Sequence, residues 1–228
     1  MIIAAGGLGT RMRGKLPKQF LSLNGMPVIE RTIALFQSLK SVNEIVIVAP
    51  DDYLGRTRRI VLRGKYEKVS HIVAGGKRRQ DSVWKGLNSF DQKPDIVLVH
   101  DAVRPLVTPQ VVQEVLREAR KHRAAVVGVH VNDTIKVERK MGFYAETLDR
   151  SMLWAVQTPQ GFTFDLLVKA HKAAQISGFG GTDEASLVER LNVPVRRVEG
   201  DWRNIKITTR GDLELAKLVL RRRISRKL

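Results

Sequence analysis

Met1-Ile2-Ile3-Ala4-Ala5-Gly6-Gly7-Leu8-Gly9-Thr10-Arg11-Met12 opens the chain, and Pro17-Lys18-Gln19-Phe20 follows shortly after. The apolar start, Met1 to Ile3, reads as a first strand running into a glycine-rich turn. Such a turn at a strand end can wrap backbone N–H groups around phosphates. Arg11 and Lys18 add charge that amide dipoles alone cannot supply, so the ligand to expect is a nucleoside triphosphate. Two commoner glycine loops are excluded. The chain has no Gly-x-x-x-x-Gly-Lys-Ser/Thr run. After Gly7-x-Gly9, Met12 stands where a dinucleotide fingerprint needs a third glycine or alanine.

Outward from that stretch, short β-branched runs alternate with helical periodicity, the pattern of a layered α/β domain on a mainly parallel sheet. Expected strands are Ile45 to Ala49, His71 to Ala74, Ile96 to His100, Ala125 to Val129 and Val195 to Val198. One helix begins at Pro27 with Ile29, Ile33 and Phe36 on one face, and another runs from about Pro109 to Lys121 with Val111, Val115 and Ala119 in register. The segment from Thr134 to Gln157 breaks the rhythm. Ile135 to Val137, a polar turn at Lys140-Met141-Gly142, and Phe143 to Thr147 read as a projecting hairpin, which needs a partner surface. No repeat or low-complexity linker interrupts the chain, so residues 1–228 are expected to form a single domain with an arm at about 134–157.

Composition narrows the partners. Forty basic residues against 23 acidic ones give a formal net charge of +17, suited to a polyanionic ligand. The excess is scattered over Arg56 to Arg63, Lys77 to Arg79, Arg117 to Arg123 and Arg221 to Lys227. No zinc-finger spacing occurs and only 6% of residues are aromatic, which disfavours nucleic-acid binding as the main role. No run of 18 apolar residues is present, so no membrane span is expected. The start lacks the order of a secretory signal. The absence of cysteine excludes disulfides and zinc-thiolate sites and fits a cytoplasmic protein.

In open parallel sheets, ligands sit at the carboxyl ends of strands. The strand Ile96 to His100 ends in Asp101-Ala102-Val103-Arg104-Pro105, so Asp101 is placed to face a ligand or, with phosphate oxygens, a magnesium ion. The competing role is a capping aspartate beside a surface arginine. His100 reads as structural, since no second histidine is spaced to share a metal. Gly75-Gly76-Lys77-Arg78-Arg79-Gln80-Asp81-Ser82 opens a helix with two glycines, three cations and a serine, a second anion or nucleotide-edge site. In Asn204-Ile205-Lys206-Ile207-Thr208, a strand would point Lys206 away from both isoleucines. Whether it then faces a ligand or an outer edge stays open at this point.

Taken in order, the opening, Pro17 to Phe20, His100 to Pro105, Asn132 to Lys136, Thr158-Pro159-Gln160, Thr182 to Ser186 and Asn204 to Lys206 resemble one family. The chain is similar to the 2-C-methyl-D-erythritol 4-phosphate cytidylyltransferases of the nucleotidyltransferase superfamily, over essentially its whole length. The resemblance implies a Rossmann-like fold and transfer of CMP from CTP to a sugar-alcohol phosphate with Mg2+, in a homodimer. Ala5, Gly6, Gly7, Gly9, Thr10 and Arg11 would wrap the triphosphate, with Arg11, Lys18 and Lys206 as the catalytic cations. Gly76, Arg79, Ser82, Asp101 and Ala102 would hold the nucleotide, and Asp101 also the metal. Arg104, Thr134, Arg150, Thr158 and Thr182 would hold the acceptor, with Arg150 reaching the partner's site from the arm. The loop carries Gly6-Gly7-Leu8-Gly9 where some relatives have one residue fewer, which alters loop detail but not charge. The cyclase fused to some relatives is not expected in a chain of this length. A ribitol 5-phosphate cytidylyltransferase would share the nucleotide motifs and differ around Thr134, Arg150 and Thr182. A basic nucleic-acid-binding protein is the alternative from another class.

Overall fold

Ile2 and Ile3 are both fully buried, yet they belong to opposite faces of one sheet. Successive strand residues point to opposite sides, so a strand covered on both faces must be apolar throughout. The structure is a computed structural model that describes residues 1–7 and 16–225. In chain order its elements are β1 (Ile2–Ala4), β2 (Ser22–Leu23), β3 (Met26–Pro27), α1 (Val28–Ser38), β4 (Ile45–Ala49), α2 (Leu54–Gly64), β5 (Val69–Ala74) and α3 (Arg79–Leu87). They continue as β6 (Ile96–Asp101), α4 (Pro109–His122), β7 (Ala124–His130), β8 (Lys136–Lys140), β9 (Phe143–Thr147) and β10 (Trp154–Thr163). The last elements are α5 (Phe164–Ile176), α6 (Glu184–Glu189), β11 (Arg196–Glu199) and α7 (Arg210–Ser225).

Seven strands form the central sheet in the order β11-β7-β10-β6-β1-β4-β5. All adjacent pairs are parallel except the two made by β10, which runs antiparallel between β6 and β7. The mainly parallel α/β architecture expected from the alternating pattern is therefore present. From β1 the chain builds outward through β4 and β5, then returns to the other side of β1 to lay down β6. That reversal is a topological switch point, where open α/β sheets bind ligands at their carboxyl ends.

One face is covered by α1, α2 and α4, with Ile3, Ile33, Phe36, Ile47, Val112 and Val115 in a single cluster. The other is covered by α3, α5 and α6 around Ile2, Val48, Val83, Leu87, Val99 and Leu166. α1 buries Ile29, Ile33 and Phe36 as its spacing predicts. In α4 the buried stripe is Val112, Val115, Leu116 and Ala119, one position on from Val111, which packs only partly. Thr108 caps α4 by accepting from the Val111 amide at 3.4 Å, and Pro109 occupies the first turn, where a missing N–H costs nothing. A third cluster joins Leu23, Val28, Val103, Leu106, Ile207 and Ala216, seating α7 beside the β6 exit.

Two segments differ from the sequence pattern. The paired hairpin β8–β9 ends at Thr147, and from Trp154 the chain is already in the central sheet, so the ribbon is shorter than 134–157. Residues Asn204 to Thr208 are not a strand. They form an extended loop whose Ile207 amide donates to the Val103 carbonyl at 2.9 Å, and burial of Ile207 in the third cluster produces the apolar-polar alternation.

Candidate functional site

β1 and β6 end side by side, and the chain leaving each builds one wall of a cleft of about 190 Å³. Ala5, Gly6 and Gly7 line it from β1, Gly76, Arg79 and Ser82 from the β5–α3 turn, and Asp101 from β6. Lys18 and Lys206 complete the lining. The expected Gly9, Thr10 and Arg11 lie outside the described residues. Ala102 does not face the cleft: it is fully buried, its amide donates to the Ala4 carbonyl at 3.0 Å, and its carbonyl accepts from the Thr32 hydroxyl at 2.9 Å.

Each wall is held by polar side chains that reach across sequence. Gln19, buried to 1% exposure, donates its amide to the carbonyls of Ala5 at 2.7 Å and Gly7 at 3.2 Å, pinning the glycine turn. The Ser82 hydroxyl accepts from the Gly76 amide at 3.0 Å and donates to the Arg78 carbonyl at 3.1 Å. Gly76 is required sterically, because a Cβ there would sit 2.4 Å from Cβ of Asp81. Asp81 accepts from the Arg78 amide at 3.1 Å and so serves the start of α3 as a capping group.

Asp101 is the electrostatic centre. Lys206 Nζ lies 2.9 Å from its Oδ2, Arg104 Nε 3.4 Å from Oδ2, and Arg79 Nε 3.5 Å from Oδ1. Burial opposes ionisation of this carboxyl, yet Arg79, Lys206 and Arg104 together hold it well below the usual carboxylate range. Arg79 itself is desolvated, but Glu184 and Asp101 raise it further above its ordinary value. Its partner Glu184 is 1% exposed and takes Arg79 Nη1 with both oxygens, at 2.8 and 2.6 Å. Burial pushes the Glu184 carboxyl up, against the pull of Arg79. Arg104, which burial lowers, also donates to the Asn204 carbonyl at 2.8 Å.

A second cleft, also about 190 Å³, opens on the far side of these residues. It is lined by Arg104, Gln157, Thr158, Thr182 and Asp183, and it shares Arg79, Asp101 and Lys206 with the first. Of the residues expected around an acceptor, Arg104, Thr158 and Thr182 meet here. Thr134 and Arg150 do not: both are exposed at the base of the arm, where Arg150 Nη1 donates to the Asn132 carbonyl at 2.7 Å. The hydroxyl of Thr158 is turned inward, accepting from the Asp101 amide and meeting His100 Nδ1, each at 3.0 Å. His100 is fully buried, and that burial pushes its imidazole down to about 4, so the ring is neutral at pH 7.

Sequence reasoning missed Gln19, Gln160 and Glu184. Gln160 donates to Asp183 at 2.7 Å and accepts from the Glu184 amide at 3.2 Å, fixing the turn that carries Thr182. Gln19, Gln160 and Glu184 all lie within quoted motifs, directly beside Lys18, in the Thr158-Pro159-Gln160 triplet and in Thr182 to Ser186, which was the available signal. Away from both clefts, Glu44, His71 and Asp91 bring ligand atoms within 4.8 Å of one another, in a group satisfied by the His71–Asp91 contact at 2.7 Å. Among the described residues, no helix is long and apolar enough to cross a membrane.

An open α/β sheet with a cationic double cleft at its switch point defines a nucleotide-handling protein of the nucleotidyltransferase type. Comparison with known proteins agrees: the family model for IspD, 2-C-methyl-D-erythritol 4-phosphate cytidylyltransferase, matches residues 1–222, and the chain belongs to that family. A cytidylyltransferase of that name from Symbiobacterium thermophilum is 51% identical over 96% of this chain and 92% of its own. One from Caldanaerobacter subterraneus is 44% identical over 97% and 98%. Among solved structures, the 4-diphosphocytidyl-2C-methyl-D-erythritol synthase of Anaerococcus prevotii superposes with a TM-score of 0.83 at 28% identity, covering 96% of each chain. The Thermus thermophilus cytidylyltransferase gives 0.78 at 33% identity, covering 96% of this chain and 97% of that one.

Proposed function

We propose that this chain transfers CMP from CTP to 2-C-methyl-D-erythritol 4-phosphate, releasing pyrophosphate. The observation that carries the reading is the pair of clefts sharing Arg79, Asp101 and Lys206. Two anionic substrates seated in them would meet across those three side chains. A phosphate oxygen of the acceptor attacks the α-phosphorus of CTP; the new P–O bond forms as the bond to the bridging oxygen breaks, and pyrophosphate leaves with that electron pair. A phosphate monoester dianion is already a nucleophile, so no general base is needed. Catalysis then rests on orientation and charge. Lys206, paired with Asp101 at 2.9 Å and 41% exposed at its side chain, would face the α-phosphate. Lys18 would neutralise the triphosphate together with Arg11, and Gly6 and Gly7 would offer backbone amides, a role that the family resemblance extends to Gly9 and Thr10.

The residue that would hold magnesium is Asp101, the carboxylate common to both clefts and kept ionised by its three cations. Magnesium takes one or two carboxylates plus phosphate oxygens, which fits this donor set, and it would supply further charge neutralisation. We also infer a single domain, a cytoplasmic location and a homodimer. The dimer reading is supported by the arm: Met141, Phe143, Tyr144 and Met152 are 92%, 67%, 76% and 78% exposed, an apolar surface that a second copy would cover. Thr134 and Arg150 would then complete the partner's acceptor cleft.

The test is pyrophosphate release with CTP and Mg2+, offering methylerythritol 4-phosphate and ribitol 5-phosphate in parallel. Release with the first alone is expected. Release with the second alone would keep the chemistry and overturn the acceptor. Release with neither, from folded protein that binds CTP, would overturn both.

A further inference from the structure

We propose that the buried His100 is a positioning residue that sets the Asp101–Arg104 turn for the transfer step, acting through the Thr158 hydroxyl at one end and the Arg104 carbonyl at the other. This rests on the reading above, in which Asp101 and Arg104 stand where donor and acceptor meet.

One carbonyl fixes the direction of every bond in the relay. His100 Nε2 lies 3.0 Å from the Arg104 carbonyl oxygen, which can only accept, so Nε2 carries the ring's proton. The neutral ring then presents Nδ1 as an acceptor. Thr158 Oγ1, 3.0 Å away, must donate its single proton there. With that proton spent, Oγ1 is an acceptor toward the Asp101 amide at 3.0 Å. The Arg104 amide in turn donates to the Asp101 carbonyl at 3.0 Å, closing the turn. Both ends of the turn are thus tied to one imidazole, and the side chains it carries outward are the Asp101 carboxylate and the Arg104 guanidinium.

Thr158 sits where this matters. The β10–β7 register shifts between Val156 and Gln160, so residues 157–159 leave the ladder and depend on side chains for their position. Asn204 Nδ2 donates to the Thr158 carbonyl at 2.9 Å, and the Asn204 carbonyl receives Arg104 Nη1 at 2.8 Å. The segments supplying Asp101, Arg104 and Lys206 therefore converge on the Thr158 backbone and hydroxyl. A buried histidine serving stability alone needs only a satisfied ring. Here the ring's two partners lead to the amide of one site residue and the carbonyl of another.

The experiment compares wild type with Thr158→Ser, Thr158→Val, His100→Asn and the His100→Asn/Thr158→Val double variant, measuring kcat, KM for each substrate and the unfolding midpoint. Valine removes both hydrogen bonds, and kcat is expected to fall about 10–100-fold, the usual cost of losing an orienting partner. Serine keeps both bonds and should stay within about threefold of wild type. Asparagine places an acceptor near the Nδ1 position but abandons the Arg104 carbonyl; adding Thr158→Val to it should cost less than Thr158→Val does alone. Lower midpoints with unchanged kcat would make the pair merely structural and overturn the relay. Unchanged kcat in His100→Asn, with a rise confined to KM for the acceptor in Thr158→Val, would make Thr158 a substrate ligand only and overturn it too. Should the valine variant not fold, nitrogen-15 shifts of the wild-type imidazole decide: a protonated Nε2 with a bare Nδ1 supports the relay, and the opposite tautomer refutes it. Wild type without pyrophosphate release would sink the functional reading; active wild type with indifferent variants would sink only the relay.

Discussion

Removing the Glu184 carboxylate leaves Arg79 as a half-buried guanidinium whose remaining acid contact is Asp101 at 3.5 Å, already shared with Lys206 and Arg104. The wild-type cluster holds three cations and two carboxylates, and Glu184→Ala makes it three against one. Breaking a fully buried, hydrogen-bonded pair from one side costs about 3–5 kcal/mol, because the surviving charge keeps its desolvation penalty; with Arg79 27% exposed, the lower end, about 3 kcal/mol, is expected. Glu184→Gln retains an acceptor oxygen and one bond to a charged donor, so about 2 kcal/mol is expected. For a chain of this size, each kcal/mol lowers Tm by roughly 2–4 °C, giving a drop on the order of 10 °C for the alanine variant. The assay is urea unfolding followed by tryptophan fluorescence and circular dichroism, with the slope unchanged between variants. The exposed Lys93–Asp165 pair, 62% and 74% exposed, is the control, and Lys93→Ala should stay within about 0.5 kcal/mol. A loss below about 1 kcal/mol for Glu184→Ala would refute the claim that this pair holds the site wall together.

Three further outcomes follow from the same geometry. His100 and His171 are both fully buried and pushed by that burial to about 4, below the 6.5 of an unfolded chain, so the unfolded state binds more protons between those values. Stability should therefore be intact above about pH 6.5 and fall as pH drops toward 4, by up to about 3 kcal/mol per histidine, with His171→Leu flattening the acid limb in a pH series of unfolding midpoints. Gly76→Ala must move the Asp81 side of the turn and cost about 1–3 kcal/mol of strain, read as roughly a tenfold or larger rise in the dissociation constant for CTP by calorimetry; unchanged affinity would remove this turn from the nucleotide site. Lys18→Ala and Lys206→Ala should each lower kcat on the order of 10²–10³, by analogy with a lost oxyanion donor, and near-normal turnover in both would exclude them as the charge-neutralising groups.

The parts of the fold legible in sequence are those where burial dictates composition. β4 is the segment from Ile45 to Ala49, and every one of its residues is buried, so nothing but an apolar β-branched run could occupy it. β10 was not legible. It lies in the middle of the sheet yet contains Gln157, Thr158, Pro159, Gln160 and Gly161, residues that argue against a central strand. It survives there because the chain bulges out of the ladder at 157–159 and side chains bond the polar groups: Gln157 to Asp201 at 3.1 Å, Gln160 to Asp183 at 2.7 Å. A local rule fails at this strand for the reason that makes it useful, since a regular strand could not turn Thr158 toward Asp101.

The site divides along the same line. Residues offering charge or backbone to a ligand, such as Gly76, Arg79, Asp101 and Lys206, lie at strand ends or helix starts and belong to short motifs. Those that hold them in place lie in the same motifs but do not announce their role, because their partners are remote: Arg79 and Glu184 are 105 positions apart, and Gln80 and Gly181 are 101. No periodicity links such pairs, and a buried glutamate in α6 has the same local appearance as an exposed one until its guanidinium is known. The large net charge was equally uninformative about the site. At ordinary ionic strength, exposed charges beyond about 10 Å are screened, so scattered surface arginines steer anions without selecting them. Selection falls to the cations gathered around one buried carboxylate, where screening is weak and each position is set by a hydrogen bond to a distant segment.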